Sequence, residues 1–209
     1  FAFAFPDLYE IGMSYLGLQI LYHQLNKQEN IYCERVFAPA GDMEALMRQE
    51  QVPLMTLETK TPLVEMDFVG FTLQYEMSFT TILNMLELAG MPVYAKARGD
   101  EFPLVIAGGP CAFNPEPLAD FVDLFLIGDG EQALPALVQK YIECKQNGIT
   151  TKEGFLRDAC QLEGVYVPRF YDVVYAEDGT IKELCKLYEG APLPVCRAIL
   201  PEIETVDFP

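Results

Sequence analysis

Three observations predict an α/β protein built on a doubly wound parallel sheet of flavodoxin-like or Rossmann-like type, with a β-hairpin appended towards the C-terminus. Short apolar runs alternate with segments of helical periodicity. Glycine clusters stand directly after two of those runs. Residues 67–73, D-F-V-G-F-T-L, are apolar almost without break, as suits a central strand buried on both faces.

The elements follow in order. Residues 1–5, F-A-F-A-F, form a strand that stops at Pro6. A helical pattern runs from about Gly12 to Lys27, and residues 31–38 read as a second strand. Asp42 suits the N-cap of a helix over 43–49. Residues 54–57 make a short strand candidate, and 67–73 the central strand. A helix over 78–88 ends at Gly90. Residues 93–97 and 104–107 read as strands, the second breaking at Gly108-Gly109-Pro110. The strand over 124–127 breaks at Gly128-Asp129-Gly130, and a long helix covers 131–146.

The pattern changes after Gly148. A short helix over 151–162 precedes a hairpin of residues 166–175 and 180–187, turning at Asp178-Gly179. Residues 189–209 contain Pro192, Pro194, Pro201 and Pro209 and read as an extended linker, with an edge strand at 195–200. The expected organisation is an α/β domain over 1–148, a helix-plus-hairpin extension over 149–188 and a linker over 189–209. The chain starts in mid-strand without Met, which reads as a segment of a larger protein.

Composition narrows the function. With 51% hydrophobic residues the chain can bury a sizeable core, so disorder is not expected. A net charge of −17 with only 14 Lys and Arg argues against a phosphate-binding surface, hence against nucleic acid as a partner. No apolar run approaches the ~20 residues that span a bilayer, so no membrane is expected. Cys33, Cys111, Cys144, Cys160, Cys185 and Cys196 show no C-x-x-C spacing. They read as buried small hydrophobes in a reducing cytoplasm, not as a metal site or disulfide framework. Met43, Met47, Met77, Met85 and Met91 read as core gap-fillers. His23, in mid-helix, reads as a core or surface imidazole. No catalytic residue and no metal ligand is assigned.

The candidate site residues all follow strands, where open α/β sheets bind ligands. The first loop reads D-x-Y-x-x-G through Asp7, Tyr9 and Gly12. On spacing alone it reads first as a tight connection, with acidic groups complementing a helix N-terminus and Gly12 allowing close packing. Thr72 ends the central strand, and Gln74 and Tyr75 follow as pocket-rim contacts or as plain surface loop. Gly108 and Gly109 end the next core strand. Gly128, Asp129 and Gly130 precede a helix whose free N–H groups suit an anion, or form an ordinary loop.

The first loop stands one residue from the D-x-H-x-x-G motif of cobalamin-binding domains, with Tyr9 where that family has its cobalt-binding His. Thr72 and the Gly108-Gly109 pair stand where the family shows S-x-L and a Gly pair, in the same order. The phrases F-P-D-L-Y-E-I-G-M-S-Y-L-G-L-Q-I-L, V-G-F-T-L-Q-Y-E-M-S, V-I-A-G-G-P-C-A-F-N-P-E-P-L-A-D and I-G-D-G-E resemble the N-terminal region of cobalamin-domain-containing radical SAM proteins. The likeness covers about residues 1–145 well. It implies an accessory domain serving a downstream radical SAM domain, which would hold the 4Fe-4S cluster and S-adenosylmethionine. It implies cobalamin at the strand ends, without a histidine lower ligand, because a phenol with pKa ~10 is a poor cobalt donor. Tyr9 would pack near the metal, Thr72 would keep the hydroxyl role, and Gly108 and Gly109 would let the nucleotide tail pass close to the backbone.

Three other functions compete. A domain that has lost cobalamin would act as a structural or substrate-recruiting module, as Tyr9 suggests. A free-standing flavodoxin-like enzyme lacks any nucleophile–base pair. A nucleotide-binding fold lacks G-x-G-x-x-G and Walker patterns. Substrate and oligomeric state are not readable.

Overall fold

The computed structural model describes residues 1–202 and 206–207. Five parallel strands form most of a six-stranded sheet: β1 (Ala2–Phe5), β2 (Glu34–Phe37), β3 (Phe68–Thr72), β4 (Leu104–Gly108) and β5 (Leu124–Leu126). Their spatial order is β2-β1-β3-β4-β5, the flavodoxin-like order. It reverses direction between β1 and β3, the switch point where such sheets bind ligands. β1, β3 and β5 are buried along their whole length, which is why their sequences do not alternate. Phe68, Phe71 and Phe125 are among the largest fully buried side chains, each contributing about 1.5–3 kcal/mol by transfer from water.

The helices are α1 (Tyr9–Gly12), α2 (Leu16–Asn26), α3 (Gly41–Glu50), α4 (Phe79–Leu88), α5 (Gly130–Gln146) and α6 (Lys152–Ala159). α2 and α5 pack on one another, and α6 packs on α5. Thr151 caps α6, its hydroxyl accepting from the Gly154 N–H at 3.2 Å. No helix of the described residues is long and apolar enough to cross a membrane.

The structure departs from the sequence expectations at several places, among them Cys196, which is exposed, and Cys111 and Cys185, which are half-buried. The helix expected from Gly12 to Lys27 is broken, because Tyr15 takes an extended backbone between α1 and α2. Asp42 is not the N-cap of α3. Ala40 holds that position, and the Asp42 carboxylate accepts the neighbouring Met43 N–H. Residues 54–57 form no strand; Met55 makes a single bridge to Pro62, and the Leu57 N–H donates to Arg35 O. Residues 93–97 form no strand either. The Arg98 guanidinium takes the carbonyls of Pro92 and Val93 at 3.0 and 2.8 Å, and Ala95–Ala97 is a 3₁₀ turn. The hairpin arm expected over 166–175 divides at Pro168. Val165–Tyr166 becomes β6, antiparallel to β5, so the sheet is mixed. Met47, Met85 and Met91 are core residues as expected, but Met43 and Met77 are exposed.

The remaining strands, β7 (Tyr171–Tyr175) and β8 (Ile181–Lys186), form the separate antiparallel hairpin. Gly179 adopts φ +82° in its turn, and the Asp178 carboxylate accepts from the Thr180 N–H and hydroxyl. Within the expected linker, the backbone of residues 196–200 runs beside the end of β5, bridged at Gly128–Ala198. Residues 203–205 and 208–209 of that linker lie outside the described residues.

Candidate functional site

Pleating puts every second residue of each strand on one face. The registers Phe3↔Gly70↔Ile106 and Thr72↔Gly108↔Leu126 therefore line up on a single face of the sheet. α2 and α5 cover that face with Leu21 and Leu134. Two of the sheet positions are glycine, and Gly17 and Gly130 stand on the helix side. The result is a slot of about 120 Å³ between sheet and helices.

Glycine is needed here for space. A Cβ at Gly70 would stand 2.6 Å from the Phe1 ring, and one at Gly108 would stand 3.2 Å from Leu126 O. Gly109 also has φ +110°, and a Cβ there would lie 2.9 Å from Leu73 O. A Cβ at Gly130 would stand 3.3 Å from the Leu21 side chain. The polar groups in the slot are few. Thr72 is buried, and its hydroxyl accepts from the Gln74 side-chain amide.

Of the residues the sequence singled out, Thr72, Gln74, Gly108, Gly109, Gly128 and Gly130 come together in this slot. Asp7, Tyr9, Gly12, Tyr75 and Asp129 are not among its lining residues. Asp7 accepts the Leu8 N–H at 2.8 Å and the Tyr75 hydroxyl at 3.2 Å, joining two rim loops. Gly12 is buried against Phe5 and Phe37, whose rings a Cβ would meet at 2.6 and 2.7 Å. Tyr9 is 43% exposed and sits edge-on to Phe37 at 5.3 Å, in a separate groove beside α3. Asp129 is held from outside by the 196–200 segment.

Sequence reasoning missed Tyr15, Gly17, Leu21, Gly70 and Leu134 as lining residues. Gly70 alone carried a signal, since glycine inside a buried strand marks a close approach. Tyr15 tilts against Phe5 with ring centroids 5.5 Å apart, in the space left by the absent side chain of Gly17.

Gln74, Gly109, Gly128 and Gly130 place one end of the slot at the rim formed by the strand C-termini. The loops there carry exposed apolar side chains: Ile11 and Met13 after β1, Tyr75 and Met77 after β3, Phe113 after β4. Met77 is 84% exposed. Other exposed apolar side chains lie on α3 and along the β7–β8 hairpin, so the rim is one of several such places. Among the described residues no group of three or more His, Cys, Asp or Glu is placed to hold a metal ion.

Fold and slot together define an α/β module with flavodoxin-like strand order and a glycine-lined cleft at its switch point. The family described as radical SAM proteins, N-terminal, matches residues 17–168, and the chain belongs to that family. Two solved structures of the radical S-adenosylmethionine methyltransferase TsrM from Kitasatospora setae are similar to it. One, with tryptophan substrate and a SAM analogue bound, is 15% identical with a TM-score of 0.47, over 85% of this chain and 29% of that one. The other, with cobalamin and a [4Fe-4S] cluster bound, is 13% identical with a TM-score of 0.49, over 100% of this chain and 30% of that one. The chain thus spans about 30% of the length of that enzyme. No curated protein matches it.

Proposed function

We propose that this chain is the corrinoid-binding accessory domain of a radical SAM enzyme. The observation that carries the reading is the glycine-lined slot beneath a rim of exposed apolar side chains. A ligand with a broad flat body and a thin tail fits both parts: the body on the rim, the tail in the slot. The slot would take only a thin group, since its volume is small and its walls are glycine backbone interleaved with apolar side chains such as Tyr15, Leu21 and Leu134. Glycine at 70, 108 and 109 lets Phe1, Leu126 O and Leu73 O pack closely and so sets the narrow width of the slot. The Thr72 hydroxyl and Gln74 amide would orient the tail, and Asp7 and Tyr75 would hold the rim loops. Gly12, Gly128, Asp129 and Gly130 would keep the surrounding backbone in place.

Tyr9 and His23 bear on the cobalt. Tyr9 packs on Phe37, and His23, the one histidine of the chain, lies within α2. These positions support binding without a histidine lower ligand. The bound group would supply methyl transfer or a corrinoid-assisted radical reaction. The 4Fe-4S cluster and S-adenosylmethionine belong, on this reading, to a downstream radical SAM domain that partners this one. Residues 1–148 would carry the ligand, and residues 149–188 would close the sheet edge through β6.

Anaerobic titration of the chain with hydroxocobalamin and methylcobalamin, followed by absorbance and calorimetry, tests this. Saturable binding with a base-off spectrum is the expected result. No binding at high micromolar concentration overturns it in favour of a scaffold or substrate-recruiting domain.

A further inference from the structure

We infer that residues 196–200 form a latch that fixes the Gly128–Gly130 wall of the slot, so that latch docking and slot occupancy are coupled. Four hydrogen bonds seat it. The Gly164 N–H donates to Cys196 O at 2.8 Å, and the Ala198 N–H to Ile127 O at 2.8 Å. The Asp129 N–H donates to Ala198 O at 3.0 Å, and the Leu200 N–H to the Asp129 carboxylate at 2.8 Å.

Two glycines make room for it. Gly128 has φ +107°, and a Cβ there would lie 2.1 Å from Ala198 O. Gly164 has φ +84°, and a Cβ there would lie 2.9 Å from the Ala198 Cβ. Gly128 therefore meets the latch while also lining the slot. Asp129, the N-cap of α5, lies between Gly128 and Gly130, and α5 carries Leu134 into the slot. The latch occupies both the N–H and the carboxylate of Asp129. Undocking exchanges these bonds and that to Ile127 O for bonds to water, and leaves the wall without its protein anchor.

A docked latch holds the slot preformed. A ligand that needs the preformed slot must stabilise the docked latch by the same factor, because coupling is reciprocal. This step rests on the slot being the ligand site proposed above. The docking of the latch itself does not.

Hydrogen exchange on the chain and on the Leu200→Pro and Gly128→Ala variants separates the two. Leu200→Pro removes one donor at a half-buried position, so it is the milder variant. Without ligand, both variants should speed exchange at Asp129 and Ala198 and also within α5 around Leu134, while α4 is unchanged. With hydroxocobalamin, saturation should slow exchange at Asp129 and Ala198 in the unmodified chain, and Leu200→Pro should weaken binding about tenfold. Exchange around Leu134 at the unmodified rate in the Leu200→Pro variant overturns the latch. Ligand saturation that leaves Asp129 and Ala198 unchanged, or equal affinity in Leu200→Pro, overturns the coupling. If hydroxocobalamin does not bind, the corrinoid reading and the coupling fail together, and the ligand-free exchange alone upholds or overturns the latch.

Discussion

The Tyr75 hydroxyl donates to the Asp7 carboxylate at 3.2 Å and ties the loop after β1 to the loop after β3. These strands flank the switch point, so the bond spans the place where the sheet reverses its winding. The Asp7 charge, and then the bond itself, push the Tyr75 phenol above its ordinary value. Asp7→Asn should therefore lower the Tyr75 pKa towards that value. A residue-resolved NMR titration of the tyrosines reads this directly; an unmoved Tyr75 means that the pair is not formed in solution.

The two glycines at the end of β4 should respond differently to alanine. Gly109 has φ +110° and backbone 2.9 Å from where a Cβ would stand, so Gly109→Ala should cost about 1–3 kcal/mol. Gly108 has an ordinary backbone and a nearest contact of 3.2 Å, so Gly108→Ala should cost less, about 1 kcal/mol. Urea unfolding of the two variants tests the order. Equal losses would mean that backbone strain is not what selects glycine at 109.

Much of this arrangement was readable in the sequence, for identifiable reasons. The central strand stood out because it is apolar almost without break, and its burial on both faces accounts for that. The glycine clusters after residues 107 and 127 fell at strand ends, and the parallel sheet gathers them on one rim. What was lost depended on long-range contacts. Tyr9 follows the first strand as a rim residue should, yet the short α1 swings it onto Phe37 and leaves Tyr15 at the slot. Residues 93–97 have strand composition, but the buried Arg98 takes the carbonyls of Pro92 and Val93, where a neighbouring strand would otherwise pair. The partners of residues 196–200, at Ile127, Asp129 and Gly164, lie far away in sequence and leave no local pattern.

Arg98 and Asp123 form an ion pair at 3.2 Å with both side chains fully buried. Asp123 also accepts the Val105 N–H at 2.8 Å and Arg169 at 2.9 Å, so it organises β4, β5 and the approach to the hairpin. Burial lowers the Arg98 pKa, opposed by the Asp123 charge. Removing one partner strands the other charge in the core, so Asp123→Ala should cost about 3–5 kcal/mol. Adding Arg98→Met should recover part of that loss, since two apolar groups need no partner. Denaturant unfolding of the single and double variants decides it; a single variant as stable as the parent would show that the pair is solvated.

Alkaline stability should be governed in part by Tyr171. Its hydroxyl donates to Pro192 O at 2.6 Å and fastens the base of the hairpin to the following segment. Burial, and then the neighbouring Cys160, push the phenol up to about 12. The folded state thus prefers the neutral phenol. Its contribution is complete below the unfolded value near 10, and is lost as pH rises from there towards about 12. Tyr166, raised by burial and by donating to Glu116 at 2.6 Å, acts in the same direction and keeps some slope when Tyr171 is replaced. Tyr171→Phe should lower stability at neutral pH and flatten the fall between about pH 10 and about pH 12. Urea midpoints measured across that range, with tyrosinate absorbance followed on the same samples, provide the check. An unchanged slope in Tyr171→Phe would place the alkaline transition on other groups.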